Sequence, residues 1–157
     1  MANEFQVDVA LLNAGSLRAD ELIPVGEFRL RDLVKLLPMN DDLVIIKVTG
    51  TQLLAALENG VSQYPKKEGR FPCVSGVQFS FDPRLPEFHR VIEGSVRVKG
   101  EPLELAKIYR LVTKLYIKVG RDGYGCLDSG ILYFFYLFFF FESKFSKKKK
   151  RHFQERS

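Results

Sequence analysis

Between residues 43 and 61 the sequence LVIIKVTGTQLLAALENGV changes its hydrophobic pattern once, at Thr49-Gly50. Residues 43–48 (LVIIKV) are apolar and β-branched and read as a strand. Thr49 has a side chain suited to capping a helix. Beyond it, Gly50–Val61 places Leu53, Leu54, Leu57 and Val61 on one face, at i, i+1, i+4 and i+8. The chain must therefore combine sheet and helix. Residues 7–12 (VDVALL) read as a buried strand, ended by the turn formers Asn13-Ala14-Gly15-Ser16. Residues 31–37 read as a short helix stopped by Pro38. Residues 69–75 read as loop. Val77, Phe79 and Phe81 alternate with Gln78, Ser80 and Asp82, which predicts a half-buried strand ended by Pro83. Residues 91–98 continue as strand around Gly94, Lys99-Gly100-Glu101-Pro102 forms a hairpin-like turn, and residues 108–112 form another strand. Hairpin and crossover spacings together predict an α+β domain, a mixed β-sheet with short helices.

A length of 157 residues suits one domain. Its charge is unevenly placed. Residues 131–157 hold seven Lys or Arg and two Glu, whereas residues 1–130 hold 17 basic and 17 acidic residues. The whole formal charge of +5 belongs to the C-terminal segment, which also carries eight of the fourteen Phe residues. Ile131 to Phe141 is an apolar run of eleven, too short for the ~20 residues that cross a bilayer. Lys144 to Arg151 then supplies a cationic block. Three readings compete: an interfacial membrane anchor, a last core element followed by solvated charge, or a segment foreign to the domain. Low complexity and the abrupt change near Asp128 favour the third. The expected division is thus a domain over residues 1–128 and an aromatic, basic tail over 129–157 that is not part of the fold. The first twenty residues show no secretory signal peptide, which favours a cytoplasmic location.

Enzyme chemistry has few candidate carriers. The two histidines are His89, on an expected strand edge, and His152 in the tail. Cys73 and Cys126 have no metal-ligand spacing. No G-x-S-x-G elbow, G-x-G-x-x-G turn or G-x-x-x-x-G-K-[ST] loop is present. Two loops are equipped to bind a ligand. In Asn13-Ala14-Gly15-Ser16-Leu17-Arg18, a small-residue turn after a strand exposes backbone N–H groups, and Arg18 adds a fork of donors for phosphate or carboxylate. In Gly120-Arg121-Asp122-Gly123-Tyr124, Asp122 offers acceptors to sugar hydroxyls, and Tyr116 upstream offers a ring for stacking. Plainer readings stand beside these: tight turns, Arg18 paired with Asp20 or Glu21, and Tyr116 as a core aromatic.

At these residues the chain resembles a known family. Asn13-Ala14-Gly15-Ser16-Leu17-Arg18 is similar to the N-G-G-G-I-R signature of the C-terminal domain of the 5'-nucleotidase family. Residues 43–64 resemble its strand followed by T-G-x-x-L-x-x-A-L-E-N-x-V, residues 69–83 its G-R-F-P-x-V-S-G-x-x-F-x-F-D-P segment, and Gly120 to Tyr124 its G-G-D-G-[FY] turn. The resemblance covers residues 5–127 and implies that domain's α+β fold, truncated at both ends. It implies nucleotide binding, with Asn13 against the base, Gly15 in the signature loop, Arg18 on phosphate, Tyr116 stacking on the base and Asp122 on ribose hydroxyls. Met39 stands where the family often has the second aromatic of a clamp, and a thioether contacts a ring less rigidly. Ala14, Ser16 and Arg121 replace family glycines.

The resemblance further implies that catalysis belongs to a separate metallophosphatase domain with two divalent metals, so this chain carries no cofactor and no catalytic residue of its own. The expected partners are a nucleoside or nucleoside monophosphate, and that metallophosphatase domain where supplied. Family members are often extracellular or surface-bound. The alternative is a non-catalytic interaction module or pseudoenzyme, held at membrane surfaces by its aromatic, basic tail. Specific nucleic-acid binding is not expected, because the body has no charge excess.

Overall fold

The computed structural model describes residues 6–18, 22, 25–38 and 41–136. Five strands form the main sheet: β1 (Val9–Asn13), β2 (Leu43–Thr49), β3 (Pro72–Ser75), β7 (Ile108–Lys114) and β8 (Ile131–Tyr136). Their order is β3-β1-β7-β2-β8. β1 and β7 are parallel and the other neighbours antiparallel, so the sheet is mixed. Three two-residue strands, β4 (Val77–Gln78), β5 (Arg97–Val98) and β6 (Glu101–Pro102), make a second small sheet. The helices are α1 (Leu30–Leu36), α2 (Gly50–Val61) and the single turn α3 (Leu115–Lys118). The expected α+β class with short helices is what the chain adopts.

The strand–helix unit forms where the pattern changes. Thr49 Oγ1 accepts the N–H of Gln52 at 3.2 Å, and Gln52 Oε1 accepts the N–H of Thr49 at 2.8 Å, a reciprocal cap. Leu53, Ala56 and Leu57 of α2 pack on Val9 and Leu11 of β1, Val44, Ile46 and Val48 of β2, and Leu111 of β7. Tyr124 and Leu127 close the same core. Val7, Ala10, Ile45 and Val112 form a smaller cluster. Within the strands, Ala10, Ile45 and Val112 alternate with main-core residues, as the two-residue period of side-chain direction requires.

Several local expectations are corrected. Residues 69–75 are not all loop, because Pro72–Ser75 pairs with β1 from Asn13↔Pro72 to Ala10↔Ser75. A proline tolerates this edge position, where one side of the strand needs no ladder partner. Residues 77–81 do not form one strand. Beyond Gln78 only an isolated bridge, Phe81↔Val91, remains. Phe79 and Phe81 join Tyr64 and Phe71 in an aromatic cluster, with Tyr64 edge-on to Phe81 at 5.3 Å between centroids. Residues 91–98 are likewise paired only at their ends. The Ser95 hydroxyl accepts the Ser80 N–H at 3.1 Å, replacing a ladder bond. His89 lies in the exposed loop between Phe81 and Val91, not on a strand edge.

The C-terminal boundary also moves. The backbone of Ile131–Tyr136 pairs antiparallel with β2, from Lys47↔Ile131 to Leu43↔Tyr136, with a bulge between Ile45 and Ile46. These six residues therefore sit in the sheet, against the expectation of a segment outside the fold from residue 129. The physical reason is the open edge of β2, whose unpaired N–H and C=O groups accept a β-prone apolar run. The rest of the aromatic run and the Lys144 to Arg151 block lie outside the described residues. Among the described residues no helix is long and apolar enough to cross a membrane.

The strand–helix junction yields two expected outcomes in urea denaturation. Thr49→Ala removes the cap and costs about 1 kcal/mol. Gly50→Ala costs more, about 2 kcal/mol or above, because a Cβ at Gly50 collides with the Glu104 carbonyl oxygen.

Candidate functional site

The first candidate loop begins where β1 ends, at Asn13, and continues as a single 3-10 turn, Ala14–Ser16. Its backbone is already engaged. The Ala14 N–H bonds the Phe71 carbonyl at 2.8 Å, Gly15 N–H bonds Gly69 O at 2.9 Å, and Arg18 N–H bonds Leu36 O at 2.9 Å. The expectation that this turn exposes these N–H groups to a ligand is thus corrected. The first two hold the loop against residues 69–71, and the third ties its end to Leu36. Gly15 suits that approach, since a Cβ there would stand 3.0 Å from the Gly69 Cα, tighter than an ordinary contact.

The second loop follows α3. Gly120, Asp122 and Gly123 all have positive φ, at 82°, 53° and 81°. Such a loop turns back sharply and points the Asp122 side chain toward β1. Asn59, a buried polar residue on the inner face of α2, donates to the Asp122 carbonyl at 3.0 Å. A Cβ on Gly123 would stand 2.5 Å from Asn59 Oδ1, so glycine is required on steric as well as conformational grounds. Tyr124 is fully buried and donates to the Arg70 carbonyl at 2.6 Å. Burial pushes its phenol well up.

The two loops meet. Asn13 Nδ2 donates to Asp122 Oδ2 at 2.6 Å, and the Tyr116 hydroxyl donates to Asp122 Oδ1 at 2.9 Å. Each carboxylate oxygen thus accepts one hydrogen bond within the site and has a lone pair for another donor. The bond to Asp122 holds the Tyr116 hydroxyl above the usual phenol range. Tyr116 is 40% exposed, which answers the core-aromatic reading: its ring faces solvent beside the carboxylate.

Behind them, Ser16 donates to Asn13 Oδ1, and the Lys114 ammonium donates to Ser16 Oγ at 2.9 Å and pairs with Asp41. Lys114 Nζ also lies 5.7 Å from the Tyr116 ring centroid. Arg18 is exposed, and its side chain makes no hydrogen bond or ion pair within the described residues. Asp20, Glu21 and Met39 lie outside the described residues. Of the six expected site residues, the structure joins Asn13, Tyr116 and Asp122 by direct contacts and places Gly15 in the supporting turn.

Lys114, Asn59 and Gly69 were not singled out from sequence. The available signals were a lysine ending an apolar strand and an asparagine within an apolar helix face. The arrangement can bind a flat ring and hydroxyl groups. Burial pushes the thiols of Cys73 and Cys126 up, which disfavours the nucleophilic thiolate. Among the described residues no group of three or more His, Cys, Asp or Glu side chains could hold a metal ion.

Comparison with known proteins converges on one family. The model of the 5'-nucleotidase, C-terminal domain, matches residues 1–129. The trifunctional nucleotide phosphoesterase protein YfkN of Bacillus subtilis (strain 168) is 30% identical over 119 residues, covering 74% of this chain and 8% of that protein. The 5'-nucleotidase of Diplobatis ommata is 32% identical over 134 residues, covering 78% of this chain and 22% of that protein. Among solved structures, a 5'-nucleotidase precursor from Thermus thermophilus superposes with a TM-score of 0.74 at 38% identity, covering 84% of this chain and 26% of that one. The chain thus spans only 8% to 22% of the length of these two curated relatives. With the mixed sheet, the two facing loops and the match over residues 1–129 all in agreement, the chain belongs to the family of 5'-nucleotidase C-terminal domains.

Proposed function

We propose that this domain binds a nucleoside or nucleoside 5'-monophosphate and presents it to a separate metal-bearing phosphatase domain. The observation that carries this reading is the convergence of Asn13 and Tyr116 on the Asp122 carboxylate, with the Tyr116 ring left open to solvent. Asp122 accepts the ribose hydroxyls on its remaining lone pairs. The Tyr116 ring stacks on the base, a contact worth roughly 1–3 kcal/mol in single-stranded nucleic-acid sites. Asn13 meets the base edge, Gly15 keeps the signature loop seated, and Arg18 reaches the phosphate. Met39, which lies outside the described residues, is a candidate for base contact by the family resemblance alone, and its thioether contacts a ring less rigidly than an aromatic does.

Binding by this domain rests on a few placed side chains, since residues 1–130 carry no net charge. The described residues do not fit a two-metal centre, having no cluster of donors to build one. On this reading both divalent metals and the chemical step belong to another domain, and AMP hydrolysis by this chain alone is not expected. The names of its relatives accord with such a division: a nucleotide phosphoesterase and 5'-nucleotidases of several times its length.

Isothermal calorimetry tests the binding reading. The chain is expected to bind adenosine and AMP, and Tyr116→Ala and Asp122→Ala are each expected to weaken both ligands by about tenfold or more. Arg18→Ala should weaken AMP and leave adenosine unchanged. No binding by the unsubstituted chain sinks the proposal, as does phosphate release from AMP that a chelator abolishes.

The Tyr116–Asp122 bond gives a pH prediction. Because the bond raises the Tyr116 phenol, its contribution to stability is fully present below the unfolded phenol value and is lost as pH rises through the folded one. A tyrosinate absorbance titration, taken as the difference between the chain and its Tyr116→Phe variant, should show Tyr116 ionising above the ordinary phenol range. Asp122→Asn should bring that ionisation to lower pH.

A further inference from the structure

The hydrogen bonds behind Asn13 run in one direction. Lys114 ends β7 with its side chain 8% exposed and pairs with Asp41. An ammonium only donates, so Ser16 Oγ accepts from Lys114 at 2.9 Å and must send its single proton elsewhere. That proton goes to Asn13 Oδ1. The far end of the chain is fixed by the opposite constraint: a carboxylate only accepts, and Asp122 Oδ2 takes the Asn13 amide N–H at 2.6 Å. A donor-only group and an acceptor-only group thus hold the amide between them. Asn13 itself is buried, so the direction of its amide is set by these two neighbours.

We infer that Lys114 is a positioning residue for Asn13, acting through the Ser16 hydroxyl, so that the orientation of the Asn13 amide depends on a cation it does not touch. The inference rests on the nucleoside-binding reading for what Asn13 faces, but not for how Asn13 is held. Ser16 stands where the family signature has glycine, which has no hydroxyl to relay. In this chain the added hydroxyl couples a buried cation to the amide. The 5.7 Å separation of Lys114 Nζ from the Tyr116 centroid places the same cation beside the stacking ring.

The test uses the full chain with Lys114→Met, which keeps length and removes donor and charge. Ser16→Ala removes the relay but spares the Lys114–Asp41 pair, and the double variant completes the cycle. With adenosine as probe, each single substitution should weaken binding about fivefold, the loss of roughly one hydrogen bond. The double variant should be no weaker than the poorer single one. A double loss equal to the product of the single losses overturns the relay, because a merely structural lysine acts independently of Ser16.

A second readout needs no ligand. The side-chain amide signals of Asn13 in a proton–nitrogen NMR spectrum, assigned by their loss in Asn13→Asp, should shift and exchange faster in both single variants. Those of Asn59, which donates to the Asp122 carbonyl, should stay in place. Unchanged Asn13 signals in Ser16→Ala overturn the inference even if Lys114→Met does not fold. If the unsubstituted chain binds no adenosine while the Asn13 signals respond as stated, the nucleoside-binding reading falls and the positioning role stands.

Discussion

Strand β7 is hydrogen-bonded on both sides, parallel to β1 at Val9 and Ala10 and antiparallel to β2 along its full length. That double pairing sets the distances on which the candidate site depends. It places Asn13, at the C-terminal end of β1, beside Lys114, at the C-terminal end of β7. Parallel strands end on the same side of a sheet, so the loops that follow them open together. Asp122, 109 residues away from Asn13 in sequence, then comes within hydrogen-bonding distance of it. Leu111, Leu11 and Ile46 under the same strands are fully buried, so the apolar core and the polar site share one foundation.

Charge at the site is local and alternating. Asp41, Lys114 and Asp122 follow one another along a path of hydrogen bonds through Ser16 and Asn13. Placed groups of this kind need no broad field to orient a ligand, in keeping with the balanced charge of residues 1–130. Every fully buried side-chain nitrogen and oxygen among the described residues has a partner, so no buried polar side-chain atom is left unsatisfied where the loops meet. Gly15 lies close on the Gly69 backbone, and Gly123 combines a positive φ with close contact to the Asn59 side chain, which demands glycine there.

Elements whose cause is local were legible. The Thr49 cap and the helix Gly50–Val61 begin and end where the pattern put them, because the cap and the apolar stripe lie within one short segment. Asn13, Tyr116 and Asp122 were identified as carriers of binding chemistry, and the structure joins them. Elements defined by a distant partner were not legible. The segment Pro72–Ser75 has no strand-like alternation and becomes one because β1 has an open edge. Residues 77–82 and 91–98 read as strands yet pair only in places, because an aromatic cluster and the Ser95 hydroxyl take over.

The sequence by itself determined the class of fold, the strand–helix unit at its centre and the residue types that meet at the candidate site. These follow from period, capping and side-chain chemistry, which are properties of short stretches of chain. Only the tertiary structure decided that the Ala14 and Gly15 N–H groups are engaged by Phe71 and Gly69, that Ile131–Tyr136 joins the sheet, and that Lys114 stands behind Asn13. Each of these is a pairing between groups far apart in sequence. No local pattern records which donor will find which acceptor until the strands have set their register.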